Sequence, residues 1–173
     1  SMFRIRSLSD DIGRLSSAGT QNDRAACAPR KLISDAVRLL MDDATADSNP
    51  VHVDIDPGID TVFVDGIQIT QALLGLLRNA VRATSAGVPI KVQVRREAPK
   101  LIAFEVVDSG TGMTAEAFQQ AAQPFFSGFD PPSTGLGLTL CQMVAERHGG
   151  RLALLDNDPC GVIAQLWIQE HTE

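Results

Sequence analysis

The stretch Asp108-Ser109-Gly110-Thr111-Gly112-Met113 decides the fold of this chain. It follows directly on an apolar segment that ends at Val107, so the sequence predicts a carboxylate set into a glycine turn at the end of a strand. A carboxylate in that position can accept a hydrogen bond from the exocyclic amine of an adenine. An ordinary strand-ending turn also favours Asp and Gly. The stretch alone therefore leaves a plain turn and a nucleotide site open.

A second glycine motif, Thr134-Gly135-Leu136-Gly137-Leu138, follows further along the chain. Its glycines open a predicted helix over 135–148, and the free amides of a helix N-terminus can bind phosphate. The segment 123–133 between the two motifs contains Gly128, Pro131 and Pro132, which break regular structure. We expect this segment to be a loop that acts as a lid over a bound nucleotide.

A helix upstream of both motifs supplies a third element. Residues 71–84 carry apolar side chains at helical spacing. Gly75, Asn79 and Arg82 fall together on the flank of this helix, because residues three and four apart are neighbours. An amide oxygen is a suitable Mg²⁺ ligand, and an arginine can bind phosphate. The flank therefore predicts a site for a metal ion and a phosphate.

The order of these elements resembles that of the GHKL ATPase superfamily. The Asn79 helix, the Asp108 turn, the pair Phe125-Phe126 and the second glycine motif match its N, G1, F and G2 boxes in order. Within it, the chain is most similar to the catalytic and ATP-binding domain of bacterial two-component sensor histidine kinases. It resembles the branch with Pro124-Phe125-Phe126 before a short lid and His148-Gly149-Gly150 after the second glycine box. The resemblance covers residues 29–168.

The resemblance implies an α+β fold, a two-layer α/β sandwich of the Bergerat type with a mixed, mostly antiparallel sheet covered on one face by helices. Residues 1–28 are expected to be an expression scar followed by a linker or the tail of an upstream helical domain, and 29–173 the ATP-binding domain. Asp65 is expected to cap the Asn79 helix, and Thr114 a short helix. Local patterns predict helices over 31–44, 71–84, 114–122 and 135–148, and strands over 51–55, 61–64, 90–94, 101–107, 151–155 and 162–168.

The resemblance also implies roles for individual residues. Asn79 would hold Mg²⁺ and Arg82 would contact phosphate, which makes these two the candidate catalytic residues. For Arg78, a phosphate contact and a solvated surface position are both open, and the pair Phe125-Phe126 fits either a lid anchor or the core. The residues expected around ATP are Asp108, Gly110, Gly112, Met113, Phe126, Thr134, Gly135, Leu136, Gly137 and Leu138.

Composition and charge exclude several other functions. The net charge of −6 argues against a nucleic-acid surface, and no apolar run approaches the roughly 20 residues of a membrane span. The three cysteines lack metal-ligand spacing, which predicts reduced, mostly buried thiols and a cytoplasmic fragment. A membrane anchor elsewhere in the full-length protein is left open. The segment 101–146 contains no Lys or Arg, so a triphosphate bound there needs Mg²⁺, helix-end amides and arginines from the Asn79 helix.

The chain departs from the family pattern in several places. Gly75 stands where related kinases often carry Asn and the ATPase relatives carry a Glu that activates water, so efficient hydrolysis is not expected. The lid has no Lys or Arg, and Ala83 stands where Tyr is common. His52, His148 and His171 all lack the setting of a phosphoacceptor. For His148, a structural role is favoured over a catalytic one.

The sequence therefore predicts the ATP-binding catalytic domain of a sensor histidine kinase. It would bind Mg²⁺·ATP and transfer the γ-phosphoryl group to a histidine on a separate dimerisation domain of the same kinase. A response regulator would act downstream, and no contact with nucleic acid or membrane is expected of this fragment. Two alternatives remain: a nucleotide-binding regulatory or docking module that has lost transfer, and a protein serine kinase of the anti-sigma type.

Overall fold

The computed structural model describes residues 23–42, 49–120 and 137–170. Within these ranges the chain forms seven strands and four helices. The strands are β1 (Ala25–Cys27), β2 (Val51–Ile55), β3 (Val62–Val64), β4 (Ile90–Ala98), β5 (Leu101–Val107), β6 (Arg151–Asp156) and β7 (Val162–Gln169). The helices are α1 (Pro29–Met41), α2 (Gly66–Ala83), α3 (Ala115–Gln120) and α4 (Gly137–Arg147).

Five of the strands form one mixed sheet in the order β2-β4-β5-β7-β6. Strand β2 runs parallel to β4, with Val51 opposite Ile90, and the other neighbours in this sheet are antiparallel. Strands β1 and β3 form a separate antiparallel pair. The predicted α+β fold with a mixed, mostly antiparallel sheet is confirmed.

The hydrophobic core lies between one face of this sheet and the helices. On β4, Ile90, Val92 and Val94 are buried, whereas Lys91 and Arg95 lie on the other face. This alternation follows from the two-residue period of a strand. Helix α2 contributes the largest set of buried helical side chains, namely Ile69, Ala72, Leu73, Leu74, Leu76, Leu77 and Ala80. The helix that carries Asn79 is therefore buried along one face over most of its length.

Asp65 begins α2, as the sequence predicts. Its Oδ1 accepts hydrogen bonds from the backbone N–H groups of Ile67 and Gln68, each at 3.1 Å, and its Oδ2 accepts one from Gln68 Nε2 at 2.8 Å. Because the cap lies directly before Gly66, the helix starts several residues ahead of the predicted 71–84 segment. The Thr114 cap is also confirmed, since its hydroxyl accepts a hydrogen bond from Ala117 N at 3.2 Å.

Strand β1 corrects the prediction of a linker or helix tail at residues 25–27, whereas residues 1–22 of that segment lie outside the described part of the chain. Residues Ala25–Cys27 pair with Val62–Val64 of β3, and Arg24 donates a hydrogen bond to the Arg147 carbonyl at 2.6 Å. A three-residue strand of Ala and Cys has neither alternating hydrophobicity nor strong β-propensity. Its pairing comes from backbone hydrogen bonds to a distant strand, which local sequence does not reveal.

His148 joins the end of α4 to the start of α2. Its side chain is fully buried, its Nε2 accepts a hydrogen bond from Asp65 N at 3.2 Å, and its Nδ1 lies 2.8 Å from the Val144 carbonyl. An acceptor at Nε2 requires the neutral tautomer with the proton on Nδ1, which then donates to Val144. The structural role predicted for His148 is confirmed.

The three cysteines occupy different environments, although all are free thiols. Cys141 is buried and Cys27 is half-buried, but Cys160 is exposed. The prediction of mostly buried thiols is therefore wrong for Cys160, which lies in the turn between β6 and β7 instead of in a regular element.

We expect Asp65→Ala to lower the free energy of unfolding by about 1–2 kcal/mol, because it removes the α2 cap and leaves buried polar groups without partners. Urea denaturation followed by circular dichroism measures this loss. Thr114→Ala is the matched control, since Thr114 caps a short exposed helix and should cost less, about 0.5 kcal/mol. Equal losses from the two substitutions would contradict the special position of Asp65.

Candidate nucleotide site

Asp108 lies in the loop that follows β5 and is 6% exposed. Its Oδ1 accepts hydrogen bonds from Gly110 N at 2.9 Å and Val162 N at 3.2 Å, while its own N–H donates to the Val162 carbonyl at 3.0 Å. The start of β7 therefore fixes both the backbone and the side chain of Asp108.

The second carboxylate oxygen of Asp108 keeps its acceptor capacity. Among the described residues, no donor binds Oδ2. Burial raises the pKa of this carboxyl above its ordinary value, and the hydrogen bonds from Gly110 and Val162 oppose that change. A buried carboxylate with one unused oxygen gains from a donor such as an exocyclic amine, because the donor offsets part of the desolvation cost.

Two residues of the β6–β7 turn hold the Asp108 loop, and the sequence analysis did not identify them as site residues. Asn157 Nδ2 donates a hydrogen bond to the Asp108 carbonyl at 2.8 Å. Gly161 has a φ of +109°, and a Cβ there would overlap the Asp108 carbonyl. In the sequence these two residues only lie between the predicted strands 151–155 and 162–168, because the contact joins positions that are distant along the chain. The only sequence signal for this contact is a glycine at the end of the turn between two predicted strands.

The Asp108 loop also packs on the C-terminal end of α2. A Cβ at Gly110 would overlap the carbonyl group of Ala83, and Thr111 N donates a hydrogen bond to that carbonyl at 3.1 Å. Gly110 is therefore required for this close approach. The contact brings the predicted adenine loop next to the helix turn that carries Asn79 and Arg82, so the structure brings these two parts of the predicted site together.

Asn79 and Arg82 lie on the flank of α2 as predicted. Asn79 is half-buried, and Arg82 is exposed. Within the described part of the chain, neither side chain has a hydrogen-bond or ion-pair partner. Arg78 is half-buried and makes an interaction of its own.

Helix α4 packs antiparallel to α2. The contacts run from Asp65 with His148, through Ala72 with Cys141, to Gly75 with Gly137. The start of α4 therefore lies beside Gly75, one helical turn before Asn79. Because amides at a helix N-terminus attract phosphate, a phosphate bound at the described start of α4 would lie near the candidate metal ligand Asn79.

The remaining predicted site residues divide into two groups. Gly112, with a φ of +72°, and the half-buried Met113 follow Asp108 in its loop, and Leu138 lies half-buried in the first turn of α4. The others lie outside the described residues: Phe126, Thr134, Gly135 and Leu136, together with Phe125 and the predicted lid over 123–133.

Over 23–42, 49–120 and 137–170, no cluster of three or more His, Cys, Asp or Glu residues could hold a metal ion. A Mg²⁺ ion at Asn79 would take its other ligands from phosphate oxygens and water, which is the usual mode for this cation.

Comparison with known families gives the class of this domain. Residues 64–172 match the family described as "Histidine kinase-, DNA gyrase B-, and HSP90-like ATPase". The chain belongs to this ATPase family. The match begins at the last residue of β3 and includes α2, the Asp108 loop, α4 and the final hairpin, which are the elements that form the candidate site.

The relatives of this ATPase domain include sensor kinases. The chain is 31% identical over 150 residues to sensor protein FixL of Bradyrhizobium diazoefficiens, covering 86% of this chain and 28% of that protein. It is 34% identical over 122 residues to sensor histidine kinase ZraS of Klebsiella oxytoca, covering 70% and 26%. The chain thus spans less than a third of these relatives. The prediction of a histidine-kinase type of ATP-binding domain is confirmed.

Solved structures share the fold. The catalytic domain of histidine kinase ThkA has a TM-score of 0.73 at 23% identity, covering 86% of this chain and 98% of that one. Full-length ShkA in complex with AMPPNP has a TM-score of 0.76 at 21% identity, covering 95% of this chain and 35% of that one. At these identities the likeness concerns the fold.

Across the part of the chain that the structure describes, no helix combines the length and the apolar character needed to cross a membrane.

We expect Gly161→Ala to weaken ADP binding by about tenfold or more. The added Cβ would displace the Asp108 carbonyl, which moves the Asp108 carboxylate away from the adenine amine and removes a buried hydrogen bond to a charged group. Isothermal titration calorimetry measures the affinity. Gly58→Ala is the matched control, since Gly58 also has a positive φ, of 86°, but its Cβ would meet nothing within 4 Å. If both variants bind ADP equally, Gly161 does not support the site.

Proposed function

We propose that this domain binds Mg²⁺·ATP and transfers the γ-phosphoryl group to a histidine on a separate dimerisation domain of the same kinase. The observation that carries the proposal is the contact of the Asp108 loop with the C-terminal end of α2 at Ala83. That contact puts the Asp108 loop beside the helix flank of Asn79 and Arg82, whose side chains have no partner among the described residues.

Asp108 is proposed to bind the adenine amine through Oδ2. The buried carboxylate cannot be fully solvated, and the free protein supplies donors only to Oδ1 within its described part. An adenine amine would satisfy the remaining oxygen and exclude bases that lack a donor at this position. The complex of ShkA with AMPPNP, an adenine nucleotide, supports a ligand of this class for the shared fold.

The phosphates are proposed to be neutralised by Mg²⁺ at Asn79, by Arg82 and by the first amides of α4. The segment 101–146 supplies no Lys or Arg, so the positive charge must come from these three sources. Phosphoryl transfer depends mainly on positioning and charge neutralisation. When bound, Mg²⁺ would supply most of the positive charge, and Asn79 would hold it.

Two features of the chain favour transfer of the γ-phosphoryl group to a histidine of another domain over its transfer to water. Gly75 provides no side chain to activate water. The two histidines in the described part of the chain are also unsuited to accept phosphate: His148 is fully buried with both ring nitrogens engaged, and His52 lies in strand β2 instead of in a helical hairpin. We therefore propose that the acceptor histidine belongs to a helical domain upstream of β1.

We propose the same for the partners and the location of the kinase. Residues ahead of β1 would link the dimerisation domain to this one, a response regulator would receive the phosphoryl group, and this domain would work in the cytoplasm. One alternative is favoured by specific residues: Gly75 and a lid without Lys or Arg also fit a nucleotide-binding regulatory module that has lost transfer. The other alternative, a serine kinase of the anti-sigma type, would share the fold and differ in the residue that accepts the phosphoryl group.

Asp108→Asn should weaken ATP and ADP binding together by roughly 1.5–3 kcal/mol, because a donor replaces one acceptor oxygen in the adenine contact. Asn79→Ala should reduce Mg²⁺-dependent ATP binding far more than metal-free ADP binding. Calorimetry with Mg²⁺ and with EDTA separates the two effects. A folded Asp108→Asn variant that binds ATP like the unmodified chain would overturn the adenine assignment.

Phosphoryl transfer should require Mg²⁺ and a histidine acceptor. Incubation of the domain with ATP labelled at the γ-phosphate and the purified histidine-bearing hairpin of the same kinase should give acid-labile label on the hairpin, and EDTA should abolish it. Acid-stable label on a serine of a protein partner would favour the serine kinase, and nucleotide binding without any label would favour the regulatory module.

A further inference from the structure

Gly75 lies in the interior of α2, where a glycine weakens a helix. The structure gives a reason for its presence. A Cβ at position 75 would lie 3.3 Å from Cys141 Sγ and 3.7 Å from the Gly137 carbonyl oxygen, both on α4. The first of these distances is shorter than ordinary van der Waals contact. The thiol therefore occupies the space that a side chain at position 75 would need.

Cys141 is held in that place. Its side chain is fully buried, and its Sγ donates a hydrogen bond to the Ala72 carbonyl at 3.3 Å. Burial raises the pKa of this thiol to about 12, so it remains protonated and able to donate at neutral pH. The thiol cannot move away from α2 without losing this bond and opening the packed interface. A side chain at position 75 would therefore push the two helices apart.

The separation of these helices matters for the proposed ligand. Asn79 follows Gly75 by one helical turn, which is about 5–6 Å along the helix axis, and the start of α4 lies beside Gly75. A metal ion at Asn79 and a phosphate at the α4 amides must be bound by one nucleotide at the same time. Their distance is therefore fixed by how closely α4 approaches α2 at Gly75.

We propose that Gly75 and Cys141 form a matched positioning pair that sets the distance between the metal-binding Asn79 and the phosphate-binding start of α4. The pair rests on the proposed function, since it acts on Mg²⁺ and nucleotide only if they bind there. Neither residue touches the nucleotide in this arrangement. Their role is to let a single Mg²⁺·ATP engage both helices, and a larger residue at one position demands a smaller one at the other.

The test measures how much Mg²⁺ strengthens ATP binding to this chain, as the ratio of dissociation constants with EDTA and with Mg²⁺. Gly75→Ala should lower this ratio by about fivefold or more, because a displacement of a few tenths of an ångström already impairs a positioned contact. Cys141→Ala in the same chain should restore the ratio, because it removes the sulfur that the new Cβ meets. Asn79→Ala gives the ratio expected when the metal ligand is lost.

A matched control exists at the opposite end of α2. A Cβ at Gly66 would lie 3.1 Å from Cys27 Sγ, which is the same kind of contact far from Asn79. Gly66→Ala should change stability in urea but leave the Mg²⁺ ratio unchanged. If Gly75→Ala fails to fold by circular dichroism, Cys141→Val applies a similar displacement from the α4 side and should lower the ratio in the same way.

The outcomes separate this inference from the proposed function. If the unmodified chain does not bind ATP, or binds it equally well with and without Mg²⁺, the proposed function itself is overturned. If Mg²⁺ strengthens ATP binding to the unmodified chain, and the folded Gly75→Ala variant has the same ratio of dissociation constants, the positioning pair alone is overturned. A loss in Gly75→Ala that Cys141→Ala does not restore, or an equal loss in Gly66→Ala, also overturns it.

Discussion

The candidate site depends on the antiparallel packing of α2 against α4. His148 and Asp65 join the two helices at one end, and Gly75 and Gly137 meet at the other. Because close-packed interiors do not deform continuously, contacts along the whole helix pair fix where Asn79 lies relative to the start of α4. The polar junction holds the far end of the pair, and the contact at Gly75 holds the end beside Asn79.

The two halves of the site are supported by different parts of the fold. Strand β7 and its hairpin hold Asp108 through backbone groups, Asn157 and the close approach of Gly161. The helices hold the groups that would face the phosphates. The halves meet where Gly110 packs on Ala83. Such a division allows the base contact and the charge contacts to be altered separately by substitution.

Much of this arrangement could be predicted from the sequence, because its motifs are local. The Asp65 cap and β5 followed by Asp108 were predicted from patterns within a few residues. Contacts between distant segments were not. Strand β1 has no sequence pattern of its own, and Gly161 cannot be told from an ordinary turn glycine. From the sequence, Gly75 indicates only that a side chain is absent, and its contact with Cys141 is visible only in the structure. Pairings across the fold leave no trace in one sequence.

Both ends of the described chain reach the same pole of the domain. Arg24 binds the Arg147 carbonyl, and Gln169 N binds the carbonyl of the adjacent His148. This pole is the end of the α2–α4 pair that lies farthest from Asn79. The described termini therefore lie at the end of the helix pair opposite the candidate site, so the contacts that hold them do not involve the groups proposed to bind the nucleotide.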